Sequence, residues 1–227
     1  MTTEDREYYA GHVMDRVNQI QLAVIGIGIA MLAINYLGLV TVEAGVLGSS
    51  AYWQRIILLL LVILFACYTA LVYNAYPIQV GKSDTSPVRG RYPTRIFSLF
   101  LLDIFQVTLA ACMFGVLFIP DARQLIGGEY CVTSLEGPNC LGLPEYALET
   151  IFVLGALWHL TAAVWYWIAD GLRVHDVPVH CLFAIVYLGL AAASYLLAWF
   201  DPWVGAGGFL LVLSCLFLVQ GSRWLRA

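Results

Sequence analysis

Long stretches of this chain run almost without charge, and that constrains its fold more than any motif does. Five such runs cover roughly 18–40, 54–76, 96–119, 146–169 and 178–199, and a shorter sixth covers 204–221. About 20 apolar residues, rising about 1.5 Å each as a helix, cross the hydrocarbon core of a bilayer. The sixth run is weakened at its start by Gly205, Gly207 and Gly208, but Asp201-Pro202 supplies a turn before it. Charged residues make up 11% of the chain, against about 25% in an average soluble domain. The expected fold class is therefore all-α: a polytopic membrane protein built as a bundle of six transmembrane helices, with no separate soluble domain. Three segments follow: an amphipathic N-terminal stretch 1–17, a transmembrane domain 18–221 and a tail 222–227.

The first stretch carries Glu4, Asp5, Arg6, Glu7, Asp15 and Arg16 rather than a short basic region and a small-residue cleavage site, so it does not read as a cleavable signal. Helix 1 is expected to act as its own insertion signal. Residues 4–17 fit a short helix on the membrane surface, with Tyr8, Tyr9, Val13 and Val17 towards lipid.

Lys and Arg stay on the cytoplasmic side and set orientation. With the N-terminus inside, the inner segments hold Arg6, Arg16, Lys82, Arg89, Arg91, Arg95, Arg173, Arg223 and Arg226, and the outer segments hold Arg55 and Arg123. That bias fits an even helix count, both termini cytoplasmic, loop 120–145 outside, and a plasma (inner) membrane. Trp53, Trp199 and Trp203 then fall at outer ends and Trp165, Trp167 and Trp224 at inner ends, as an interfacial aromatic belt requires; Trp158 alone is deep. The outer loop contains CVTSLEGPNC, whose Cys131 and Cys140 face an oxidising compartment and are expected to form a disulfide. The competing reading is two free thiols. Cys67, Cys112, Cys181 and Cys215 fall within helices and read as packing residues.

Two loops are long enough to hold a surface. The inner loop 77–95 is basic and rich in Pro, Gly and Ser, placing Arg89, Arg91 and Arg95 near anionic lipid headgroups or a cytosolic partner. The outer loop 120–145 sets Asp121, Glu129, Glu136 and Glu145 against Arg123: a solvated cap, or an acidic mouth that attracts cations. No internal repeat is visible. Helix 1 repeats small residues at Ala23, Gly26, Ala30 and Ala33, and helix 5 has Gly189, Ala192 and Ala193. Such faces let helix backbones approach, within one chain or between copies.

The polar residues inside these runs need explaining. Along helix 4, Glu145, Glu149, Phe152, Ala156, His159, Ala163, Tyr166 and Asp170 share one face. Ile151, Leu154, Leu157 and Trp165 fall on the other side, where lipid is expected. Intramembrane charge turns towards a bundle interior or a wet cavity and finds partners. Asp103 lies ~12 Å in from Arg95, and His159 ~16 Å in from Asp170, by helical rise. With Gln106 one turn from Asp103, these residues are candidates for one buried polar cluster. Imidazole titrates near physiological pH, so the cluster suits a proton or cation relay; a structural pair that fixes packing is the plainer alternative. At the inner face, DGLRVHDVPVH brings Asp170, His175, Asp176 and His180 together, which reads as loop polarity without a metal signature.

Several chemistries are excluded by what the helices lack. No Lys lies within one to anchor retinal, and no Arg series makes a voltage sensor. There is no TVGYG-like filter, Walker loop or HExxH. With His159 as the single deep imidazole, bis-histidine haem has no second ligand. No cofactor and no nucleic-acid partner is expected. The leading expectation is a channel or transporter-like subunit passing a proton or small cation along helices 3 and 4 through Asp103, Gln106, His159, Glu149 and Asp170, within a homo-oligomer. Two alternatives stand beside it. One is a non-conducting subunit that recruits a cytosolic partner through loops 77–95 and 171–178. The other is an enzyme subunit binding quinone or haem beside Trp158 and His159.

Overall fold

The computed structural model describes residues 14–37, 47–48, 50–80, 93–117, 133–134, 137–138, 146–170, 176–197 and 200–224. Within them lie six long helices: α1 (Met14–Met31, continued by a π-helical stretch Leu32–Leu37), α2 (Ser50–Val80), α3 (Pro93–Leu117), α4 (Ala147–Asp170), α5 (Asp176–Leu196) and α6 (Pro202–Trp224). Each contains a window long and apolar enough to cross a membrane. A two-stranded antiparallel hairpin, β1 (Thr133–Ser134) and β2 (Gly137–Pro138), pairs Thr133 with Pro138.

Local chemistry sets the helix ends. Asp201 Oδ1 accepts hydrogen bonds from the backbone N–H groups of Trp203 (3.0 Å) and Val204 (2.9 Å), capping α6, and Pro202 opens it where a missing N–H costs nothing. Pro93 opens α3 in the same way. Pro178 sits in the first turn of α5, where no i−4 carbonyl awaits its nitrogen. That tolerance lets α5 begin at Asp176, two residues before the expected start. The other boundaries also move. α1 starts at Met14, so Val17 belongs to it and is buried rather than turned to lipid; α2 runs to Val80, into the expected 77–95 loop.

Helix α4 packs most extensively against α5 and α3; α1 lies on α2, and α6 on α2. The outward surface of α4 is one narrow stripe of Thr150, Val153, Leu157, Leu160, Val164 and Trp167. Ile151 and Trp165, expected to face lipid, are buried because α4 has neighbours on two sides. Rings bridge the gap between α2 and the other helices. Phe65 of α2 meets Trp158 of α4 at 5.4 Å, Tyr187 of α5 at 6.3 Å and Phe209 of α6 at 6.3 Å.

Helix α1 uses a different face from the one its small residues mark. Val17, Gln21, Val24, Gly28 and Met31 are buried, whereas Ala23, Gly26, Ala30 and Ala33 point outward. A Cβ at Gly28 would run into the Phe114 ring of α3; one at Gly26 would meet nothing within 4 Å. On α5 likewise, Gly189 and Ala192 are exposed. Among the described residues, these small-residue stripes are therefore mostly outward-facing, with Ala193 half-buried. Trp53, Trp167 and Trp203 are exposed near helix ends, whereas Trp165, expected in the same belt, is buried; Trp158 is buried as expected.

Candidate functional site

Helix α4 turns its predicted polar stripe inward. Phe152, Ala156, His159, Ala163 and Tyr166 are buried and Glu149 is half-buried, while the Asp170 side chain lies outside the described residues. His159 is 0% exposed. Its Nδ1 lies 2.9 Å from Nδ1 of His180, on α5 and 4% exposed. One of these nitrogens donates and the other accepts. Rings enclose the pair. Phe183 and Tyr187 stack on His159, each with centroids 5.4 Å away, and Trp158 meets it edge-on at 5.0 Å. Tyr166 stacks on His180 at 5.3 Å. His159 Nε2 is buried without a hydrogen-bond partner, and so is the Tyr187 hydroxyl.

Two neighbours make this arrangement fit. Gly155 lies one turn before His159, and a Cβ there would sit 2.9 Å from Cδ1 and Cε1 of Tyr187. Its missing side chain makes room for the ring that covers His159. On α5, His180, Phe183, Ala184, Tyr187 and Ala191 form the buried face.

Asp103 and Gln106 are buried on α3, at 0% and 3% exposure. The hydrogen-bond partner of His159 is nonetheless His180, not Asp103. Glu149 is held separately, accepting a 2.7 Å hydrogen bond from Ser194 Oγ of α5. A second buried polar knot joins α1 to α2. Gln21 Nε2 donates to the Ala66 carbonyl and to Thr69 Oγ1, and Thr69 Oγ1 donates to the same carbonyl at 2.7 Å. Arg55, placed by charge counting among the outer residues, lies within α2 and is buried.

The sequence reading grouped His159 with Asp103 and Gln106; the structure pairs it instead with His180, which that reading assigned to loop polarity. The signal was present: residues 180, 183/184, 187 and 191 repeat at helical spacing. A second deep imidazole also removes the premise on which bis-histidine haem was set aside. The pair still does not fit haem through these atoms. Iron between two imidazoles holds the nitrogens about 4 Å apart, with metal–nitrogen bonds of roughly 2 Å, and the Nδ1 atoms are 2.9 Å apart. Arg89, Arg91, Cys131, Cys140 and the Arg95 side chain lie outside the described residues; the described cysteines, Cys67, Cys112, Cys181 and Cys215, are free thiols.

Fold and site together define an all-helical chain with six helices able to span a membrane and a buried, hydrogen-bonded histidine pair among aromatic rings. No family model, no curated protein and no solved structure matches the chain.

Proposed function

We propose that this is an integral membrane protein that passes a proton or small cation through its interior, with the His159–His180 pair as the central step. The observation that carries the reading is the 2.9 Å Nδ1–Nδ1 hydrogen bond between two imidazoles closed off from solvent, each on a helix apolar enough to cross a membrane. Burying polar groups among apolar helices is expensive, and such groups mark ion and proton pathways. An imidazole takes a proton at one nitrogen and releases one at the other. Two imidazoles joined through Nδ1 therefore relay a proton from Nε2 of one ring to Nε2 of the other. Asp103 and Gln106 on α3 extend the buried polar set towards the end of the bundle that holds Arg95; Glu149 and Asp170 stand towards the two ends of α4.

The charge bias of the loops supports both termini inside and loop 120–145 outside, where an oxidising compartment would permit Cys131 and Cys140 to join. The outward stripe Ala23–Gly26–Ala30–Ala33 supports packing between copies as a homo-oligomer. The test is proton and monovalent-cation flux into liposomes containing the purified protein, wild type against Asp103→Asn and His159→Ala. Loss of flux with folding retained supports the reading. Absence of flux from well-folded wild type under any gradient overturns it, and turns attention to a partner at loops 77–95 and 171–178.

A further inference from the structure

Resting on that reading, we infer that the species recognised at the histidine pair is a small weak-base cation, ammonium or methylammonium, rather than an alkali cation. What surrounds His159 favours the weak base. Its described ring neighbours are Phe65, Trp158, His180, Phe183 and Tyr187, and among these the one oxygen is the Tyr187 hydroxyl. An alkali cation sheds its water only where a set of oxygens replaces it. Ring faces attract cations within about 6 Å without supplying those oxygens. In the tautomer that carries its proton on Nδ1, the buried and unpartnered His159 Nε2 supplies what ammonium needs: a lone pair that accepts an N–H.

The step balances without oxidation or reduction. An ammonium N–H donates to His159 Nε2. That N–H bond breaks, a new one forms at Nε2, and neutral ammonia is left. His159 passes the proton already on its Nδ1 to His180 Nδ1, and His180 gives up the one on its own Nε2 to water beyond the start of α5; rotation of the two rings restores the starting tautomers. Ammonia is small and neutral, so it crosses the apolar interior that excludes the cation. The charge therefore moves through the imidazoles and the nitrogen moves among the rings.

The test is transient current from proteoliposomes adsorbed on a solid support, on jumps of ammonium chloride, methylammonium chloride, potassium chloride and pH at matched ionic strength. Empty liposomes correct for free diffusion of ammonia, which carries no charge. The expected result is a current on the ammonium jump at least ~10-fold above that on the potassium jump, abolished in His159→Gln that stays monodisperse. The wild-type selectivity decides the matter even where that variant does not fold. Equal ammonium and potassium currents, or a current on the pH jump alone, overturn the weak-base assignment and leave the proton or cation path standing. No current on any jump overturns both.

Discussion

His159 Nδ1 and His180 Nδ1 lie 2.9 Å apart, at the meeting of α4 and α5. Two bare nitrogens would repel at that distance, and so would two protonated ones. The neutral pair therefore carries one Nδ1–H and one bare Nδ1. Solid-state nitrogen-15 spectra of histidine-labelled protein in bilayers should show these two states in equal amounts for the buried rings. Two protonated Nδ1 atoms would contradict the pairing.

Gly155 positions the cover of this pair. Gly155→Leu should push Tyr187 off the His159 ring, lowering both the melting temperature and any flux. Gly115, where a Cβ meets nothing within 4 Å, is the control. Gly115→Ala should leave flux unchanged and hold or raise the melting temperature, since Gly in a helix interior costs about 0.5–1 kcal/mol relative to Ala. Equal effects at both positions would mean that Tyr187 does not depend on the gap at Gly155.

The Gln21–Thr69–Ala66 knot is a packing feature by its magnitude. Interhelical hydrogen bonds in membranes average about 0.6 kcal/mol, and Thr69 Oγ1 still donates to the Ala66 carbonyl when Gln21 is gone. Gln21→Ala should therefore destabilise by about 1 kcal/mol or less in an unfolding titration and leave flux intact. Flux abolished at full stability would instead place Gln21 on the path.

The outward and inward glycines of α1 should separate assembly from folding. Gly26→Leu should leave the protomer folded and reduce the oligomer on native mass spectrometry. Gly28→Leu, directed into Phe114 and Ile63, should destabilise the protomer itself. A Gly26→Leu protein with unchanged oligomeric mass would remove the stripe from the interface.

The proposed outer loop carries its own test. The hairpin register pairs Thr133 with Pro138 and Ser134 with Gly137, and positions 131 and 140 are spaced evenly about the same centre in the sequence. Non-reducing peptide mapping of membrane-expressed protein should find Cys131 joined to Cys140, a closure worth roughly 2–3 kcal/mol in the chain-entropy picture. Two free thiols would argue against the bond and against placing this loop on the oxidising side.

Six helices and the inward stripe of α4 were legible in the sequence because hydropathy and a 3.6-residue period are strong signals. Which apolar residue faces a neighbour and which faces outward was not. On α2, Leu58 and Leu59 are buried while Leu60 and Leu64 are exposed; identical side chains serve both surfaces, since lipid is as apolar as a protein core. The same degeneracy sent Ile151 and Trp165 to the wrong side and left open whether Ala23, Gly26, Ala30 and Ala33 face a helix of the same chain or of another copy. His180 was missed for a local reason: Pro178 and the polar run before it look like a loop, although a proline is at home in a first helical turn.

The most direct test of the central claim is proton flux in liposomes for the conservative variant His180→Gln, the residue that only the structure brings to His159. With the variant folded and monodisperse, nearly all proton flux should be lost, because the second imidazole of the relay is gone. Wild-type flux in a folded His180→Gln protein would contradict it and leave the pair as a packing element.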